Sequence, residues 1–587
     1  MTGYLAIIHT DGSAVSRDVV QRCARYLSVR GCSDIKTDAS SEFGYGIGWV
    51  AGSECSGLAI GDVMVLADAR IDAMTELAEA IGVESNVENP ALIAATYRKW
   101  GLSSVEHLLG DFSFAVCDRE KGSLFAARDH FGIKPLFYAR IPSGLIVSNT
   151  IEPILAHPEV SHELSDSAIA DFLLFDHIQN PSITSYRDVF RVPPAHSLRF
   201  ERGALSVCRY WELPLVDKPV QRKSSETIEQ YLDLLRRAIK DRTRDHKRVA
   251  VMMSGGLDST SVAAIAQEIG VEVAAFTLVS AANGPDPEEE YSRITADALG
   301  IPITQHHQQN YDVFSGWERL PHRKPEPSLD LFPQSADDLY RKVAEYSPVA
   351  LSGYGGDPGL YPSAEFVRRS MKPSRAVRVL AASAWYVIRH GKLPNVGLRS
   401  ALRRKPPSEV RHLPSWVNPE LVSRLELGSR WREAQRRSAP APTLRPEAHE
   451  ILSSSGWEQL FWLQNPGFMG VPLEIRHPMF DLRVLQFLLT LPPIPWCVDK
   501  ELLRRAMKGK LPDEIRFRPK TSAGTAMPVR SGIDLDRFRS EPVSPELARY
   551  VASLPGGNLK ANEYSSWFEV RPLLLNLWLN RARFRAQ

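Results

Sequence analysis

The chain is poor in cysteine, and its cysteines show no shared pattern. The six of them, Cys23, Cys32, Cys55, Cys117, Cys208 and Cys497, are scattered, with no C-x-x-C pair and no histidine at ligand spacing. Neither a disulfide framework nor a zinc site is expected. Long apolar runs are also missing. The most apolar late stretch, residues 376–388, is cut by Arg378 and falls short of the roughly 18 residues that a membrane span needs. The first eight residues, Met1-Thr2-Gly3-Tyr4-Leu5-Ala6-Ile7-Ile8, lack the basic start and longer apolar core of a signal peptide. A cytoplasmic protein with no membrane partner is therefore expected. Nor does one sign of charge dominate: 71 Lys and Arg stand against 69 Asp and Glu, with 43% hydrophobic and 24% charged residues. That is the composition of an ordinary enzyme, and a nucleic-acid partner is not expected. His306-His307 closes a β-like run and reads as a half-buried strand end rather than a ligand pair.

What is present is length and a change of pattern. A chain of 587 residues exceeds one core and suggests about two to four domains. Residues 1–212 are strand-rich: Phe112-Ser113-Phe114-Ala115-Val116 and Leu124-Phe125-Ala126-Ala127 bracket a turn at Glu120-Lys121-Gly122, which predicts an antiparallel sheet. Residues 213–225, polar and Pro-bearing, read as a linker. In the second domain, 226–587, the pattern alternates: helix 226–241, strand 249–253, helix from 258, strand 272–279, helix 288–299, a strand near 302, helix 334–346 and strand 348–352. This order predicts a parallel α/β sheet with its ligand at the carboxyl ends of the strands. Within it, residues 366–446 hold 18 Lys and Arg against 4 Asp and Glu, a local excess of about +14 that the rest of the chain offsets. Solvated basic helices are one reading. A docking surface for an acidic partner or peptide, or a steering patch, is the other.

The most informative stretch is Ser254-Gly255-Gly256-Leu257-Asp258-Ser259, directly after the apolar run Val249-Ala250-Val251-Met252-Met253. It reads as strand, anion-cradling turn, then helix. Two glycines let the backbone approach a ligand that any Cβ would hold off, and the helix start points free N–H groups at an anion. Ser254 and Ser259 add neutral donors, and Asp258 offers a carboxylate for the Mg²⁺ that accompanies a triphosphate. No Lys follows the glycines, so this is not the loop of phosphoryl transfer. It predicts a pyrophosphate site, and cleavage of ATP between its α and β phosphates. The bland alternative, a Ser/Gly turn, fits a βα junction less well.

Further motifs stand in order with it: Leu109-Gly110-Asp111-Phe112-Ser113-Phe114-Ala115-Val116, Arg128-Asp129-His130-Phe131-Gly132-Ile133-Lys134-Pro135-Leu136-Phe137-Tyr138, Leu351-Ser352-Gly353-Tyr354-Gly355-Gly356-Asp357, and Leu511-Pro512-Asp513-Glu514-Ile515-Arg516-Phe517-Arg518-Pro519-Lys520. With these the chain resembles the asparagine synthetase superfamily over nearly its whole length. The resemblance implies an α+β, Ntn-hydrolase-like glutamine amidotransferase domain, then an α/β synthetase domain of the adenine nucleotide α-hydrolase-like, PP-loop type. It implies that Met253, Ser254, Gly255, Gly256, Asp258, Ser259, Leu278 and Gly353 bind ATP and that Asp258 and Asp357 hold Mg²⁺. By the same resemblance Lys520 meets the α-phosphate and the developing oxyanion. Hard oxygen ligands for the metal, and a cation where charge grows, make chemical sense of these roles.

Two departures bear on function. Glutamine-using members of the superfamily carry Cys directly after the initiator Met, its thiol the nucleophile and its own amine the base. Here that residue is Thr2, and where a glutamine-holding pattern of the type Asn-Gly-Glu-x-Tyr-Asn is expected the chain has Ala67-Asp68-Ala69-Arg70-Ile71-Asp72. The first domain is thus expected to be degenerate. Tyr354, in Gly-Tyr-Gly, is similar to the β-lactam synthetases, which close a ring with a Tyr and Glu pair. It reads as a catalytic base for a substrate amine, or else as packing under the adenine. Its carboxylate partner is open: Glu458 and Glu474 are nearest, and Gln464-Asn465 stand near the expected place.

Taken together, these features look most like a lasso peptide cyclase, a macrolactam synthetase that adenylates an Asp or Glu side chain of a precursor peptide and couples it to the peptide's N-terminal amine. The resemblance implies a leader-peptide-binding protein and a cysteine protease as partners. The alternatives are a β-lactam synthetase acting on a small β-amino acid and, in another class, a non-catalytic ATP-binding scaffold.

Overall fold

Alternation along the first strand decides how the N-terminal domain is layered. In Tyr4–His9, Tyr4, Ala6 and Ile8 join a core with Met64, Leu66, Ala115 and Cys117. Leu5 and Ile7 point the other way, to Val20 and Cys23 of the helix Arg17–Ala24. The strand Val63–Ile71 repeats the pattern, with Val65, Ala67 and Ala69 packed against Leu92, Ile93 and Tyr97 of the helix Asn89–Trp100. Strand side chains alternate between faces with a period of two, so two apolar faces on each strand demand a helix outside and a sheet inside. The result is two six-stranded sheets, antiparallel throughout, stacked between helices. The expected pair of strands is there, Gly110–Asp118 against Ser123–Arg128.

This computed structural model describes residues 3–27, 35–40, 44–50, 55–84, 86–280, 286–317, 324–369, 373–395, 412–435, 441–519, 533–534, 542–559 and 566–582. No described helix is long and apolar enough to cross a membrane.

The second domain is built on a five-stranded sheet in the order Ile303–His307, Glu272–Val279, Arg248–Met252, Val349–Ser352, Glu474–Arg476. All four pairings are parallel. Val249, Val251 and Val273 face one helical layer, which includes Val262 and Ile265. Ala250, Ala274 and Ala350 face the other, with Leu339 and Val343. Strands buried on both faces read as continuous apolar runs, which is why their positions are legible. The helices Ser224–Thr243, Leu257–Glu268, Pro287–Leu299 and Pro333–Tyr346 fall within two residues of expectation. His306-His307 ends its strand, as predicted. The strand Glu474–Arg476 was not foreseen, and the basic segment, with its helix Pro373–His390, lies between it and Val349–Ser352.

Charged side chains join the two domains in their buried interface. Arg128 meets Glu458 at 2.5 Å, and Lys134 lies 2.8 Å from both Asp68 and Glu474. Arg242 spans Asp72 at 3.2 Å and Asp481 at 2.8 Å, while Arg70 pairs with Asp111 at 2.5 Å and with Asp72.

Candidate active site

The strand order reverses between Arg248–Met252 and Val349–Ser352, and at such a point neighbouring turns diverge and leave a crevice. Both expected motifs leave these two strands. The turns come very close: a Cβ on Gly353 would stand 2.6 Å from Ser259 N, and one on Gly356 would stand 2.5 Å from the Asp258 carboxyl carbon. Gly355 takes φ 102°, which L side chains avoid. Glycine here serves approach between the two turns as much as approach to a ligand.

The first turn is internally ordered. Gly256 N donates to Ser254 Oγ at 3.2 Å, and the Ser254 and Ser259 hydroxyls lie 3.1 Å apart. Gly256 caps the helix Leu257–Glu268 with no side-chain acceptor. Gly255 N donates to the Glu288 carboxylate, whose other oxygen takes Arg518 at 2.8 Å. An anion of the chain's own thus stands on a backbone N–H of the turn, which fits the anion-binding character read from the glycines.

Asp258 and Asp357 converge on a single cation. Lys500 Nζ lies 2.9 Å from Asp357 and also meets Asp258. Burial works against this ammonium, but the two carboxylates outweigh it and hold Lys500 above its usual pKa. Two carboxylates sharing one point suit Mg²⁺, with phosphate oxygens and water completing its shell. Among the described residues there is no cluster of three or more metal-ligating side chains. Lys500 was missed by sequence reasoning because no local pattern marks it.

The remaining expected residues divide. Leu278 is 43% exposed near the carboxyl end of its strand, open to an adenine ring. Met253 is a correction in part: its side chain is 1% exposed, and its carbonyl accepts from Thr277 Oγ1 at 2.6 Å. The side chain packs in the core beneath the turn and cannot line a ligand; Met253 fixes where Ser254 starts. Lys520 and Thr2 lie outside the described residues.

Tyr354 stands between the rings of Trp457 and His477, at centroid distances of 6.4 and 5.9 Å. Neither of the two candidate carboxylates pairs with it. Glu458 is committed to Arg128, and Glu474 to Lys134 and Arg476. The Gln464 amide stands beside the phenol and works to lower its pKa. Although 38% of the residue is exposed, desolvation holds the phenol above its usual pKa, and the neighbouring Gln464 amide only partly offsets this. Beneath it, Ser352 Oγ meets His477 Nδ1 at 2.7 Å. Burial pushes the His477 imidazole down to about 4, so it is neutral near pH 7.

Comparison with known proteins gives two domain matches: asparagine synthase over residues 230–545 and a glutamine amidotransferase domain over residues 75–211. Asparagine synthetase [glutamine-hydrolyzing] 3 of Bacillus subtilis (strain 168) is 25% identical over 469 residues, 73% of this chain and 69% of that protein. The putative asparagine synthetase [glutamine-hydrolyzing] 2 of Methanocaldococcus jannaschii is 27% identical over 307 residues, 50% of this chain and 58% of that protein. Among solved structures, a glutamine phosphoribosylpyrophosphate amidotransferase from B. subtilis matches with a TM-score of 0.27 and 11% identity, over 62% of this chain and 82% of that one.

Proposed function

We propose that this chain, which belongs to the asparagine synthase family of ATP-dependent, amide-forming ligases, closes a macrolactam ring in a peptide, as a lasso peptide cyclase does. In this reading ATP adenylates an Asp or Glu side chain of a precursor peptide with loss of pyrophosphate. The peptide's N-terminal amine then displaces AMP. The Ser254 turn binds the pyrophosphate through its N–H groups and hydroxyls, with Glu288 giving up Gly255 N to a phosphate oxygen. Asp258 and Asp357 hold Mg²⁺, which when bound neutralises phosphate charge. Lys500 turns from the two carboxylates to the leaving pyrophosphate, and Lys520 meets the α-phosphate.

The observation that carries the peptide reading is that the candidate carboxylates near Tyr354, Glu458 and Glu474, are committed to Arg128, Lys134 and Arg476, while the neutral amide of Gln464 stands beside the phenol. An alkylamine titrates near ~10 and needs a strong base to become a nucleophile, whereas a peptide α-amine titrates near ~8 and is already about a tenth neutral at pH 7. A site whose described residues place no free carboxylate on Tyr354 fits the second. Tyr354 then orients the amine rather than deprotonating it, and holding both ends of one molecule supplies much of the rate. This counts against the β-lactam alternative, which uses a Tyr and Glu pair. The converging carboxylates and the lysine at the switch point count against an inert scaffold. The helix Pro373–His390 exposes Val377, Leu380 and Ile388, a surface suited to a peptide or to the leader-binding protein and protease proposed as partners.

No role is left for glutamine. Asp68, Arg70 and Asp72, which replace the glutamine-holding pattern, are tied into buried ion pairs with Lys134, Asp111 and Arg242. The test is incubation of the full chain with ATP, Mg²⁺ and a trimmed precursor peptide encoded near it. The expected products are AMP, pyrophosphate and a peptide lighter by one water. ADP and phosphate would remove the adenylation chemistry, and AMP with an unchanged peptide would remove the ring closure.

A further inference from the structure

Lys500 sits on backbone that it would not choose. It has φ 57° and its neighbour Asp499 has φ 50°, two consecutive non-glycine residues in the left-handed region. Such conformations persist only where the surroundings over-determine them. Here the surroundings are Arg504 and Arg505 of the following helix, which meet the Asp499 carbonyl and the Glu501 carboxylate, and one helix of the basic segment. Tyr386 Oη donates to Asp499 Oδ2 at 2.8 Å, and Lys392, just past the helix end, meets the same oxygen at 2.8 Å. On the other side of Lys500, the buried Glu501 carboxylate has Arg389 and His390 each within 3.3 Å. Tyr386 is itself buried, in a small apolar cluster with Ile494 and Val498. The residues immediately before and after Lys500 are thus both held by the segment 386–392, while the Lys500 side chain points away to Asp258 and Asp357.

We propose that the helix Pro373–His390 is a positioning element for Lys500, with Tyr386 and Lys392 as the positioning residues that fix its ammonium at the pyrophosphate end of the site. The basic segment is therefore part of the machinery for the leaving group, besides any surface it offers outward. This rests on the reading of Lys500 as a pyrophosphate ligand.

The test is calorimetric titration of the full-length chain with magnesium pyrophosphate, which needs neither peptide nor turnover. Lys500→Met is expected to weaken binding about tenfold or more. Tyr386→Phe and Lys392→Ala each remove one polar contact and are expected to weaken it roughly fivefold, with Lys392→Arg restoring it. In a Lys500→Met background neither substitution should weaken binding further, because contacts that act through one side chain are not additive with its loss. Lys392 is 62% exposed in its side chain, so its variant folds even if Tyr386→Phe does not. Equal losses with and without Lys500, or no loss in the parent chain, would overturn the positioning role. An unchanged affinity for Lys500→Met alone would instead overturn the reading of Lys500 itself.

Discussion

Glu458 holds Arg128 at 2.5 Å across the domain boundary, with both side chains buried. The same arginine donates to the carbonyls of Gly132, Lys134 and Val192, so it organises the loop that the first domain presents to the second. Glu458→Gln should therefore act on stability rather than on the chemistry beside Tyr354. Breaking one partner of a buried pair costs roughly 3–5 kcal/mol. Denaturant unfolding should show a loss of that size, and the pH profile of ring closure should keep its shape. A changed profile with intact stability would return Glu458 to the site.

Glutamine should be inert. The first domain's Asp68 is locked between Lys134 and Asn149, and Thr2 stands where glutamine-using relatives have cysteine. Glutamate release should equal the background rate, and Thr2→Ala should not alter ring formation. Release that Thr2→Ala abolishes would mean the first domain is a working glutaminase.

Tyr354→Phe should leave pyrophosphate exchange intact and slow ring closure by about tenfold or less, the scale of one orienting hydrogen bond. Rate should rise with pH through about 8 in both forms, because the titrating group is the substrate amine. A variant that fails only below pH 8 and recovers fully above it would make the phenol the base.

Acid should act on this fold through buried groups that titrate in opposite senses. Burial pushes His477 and His130 each down to about 4 from an ordinary 6.5. Between pH 6.5 and 4 the unfolded chain takes protons on these rings that the folded chain refuses. Their contribution is complete above pH 6.5 and falls as pH drops through that window, by roughly 2 kcal/mol each at pH 5. Asp129 and Glu152, which burial raises to about 6 and about 7, work the other way and recover about 1 and about 2 kcal/mol there. The opposing sums nearly cancel, so the informative measurement is the difference: by chemical denaturation, the change in stability from pH 7 to 5 should be about 2 kcal/mol more favourable in His477→Gln than in the parent chain. Parallel profiles in the two chains would refute the assignment.

The parallel sheet was legible because its strands are apolar on both faces and its helices are long. Glu474–Arg476 was not, since three residues carry no period. The Ser254 turn announced itself because glycine, hydroxyl and carboxylate are contiguous. Lys500 could not be read from local pattern, since its partner Asp258 lies 242 residues away and lysines are common. Sequence proximity also misled: Glu458 begins near the right helix, yet that helix, Ser455–Leu463, turns it toward Arg128 and leaves Gln464 at its end to meet Tyr354. For Met253 the strand's alternation decided, sending its side chain inward.

The ionic seam between the domains makes this enzyme hard to take apart or recombine. Arg128, Lys134 and Arg242 each find carboxylates on the opposite domain, so a synthetase half expressed alone would lose Arg128 from Glu458, and would leave Glu474 and Arg242 with only their own domain's Arg476 and Asp481. A chimera with a relative's first domain would need the whole set transplanted together. Whatever chemistry the first domain does, it is held in place as the counter-surface of the second.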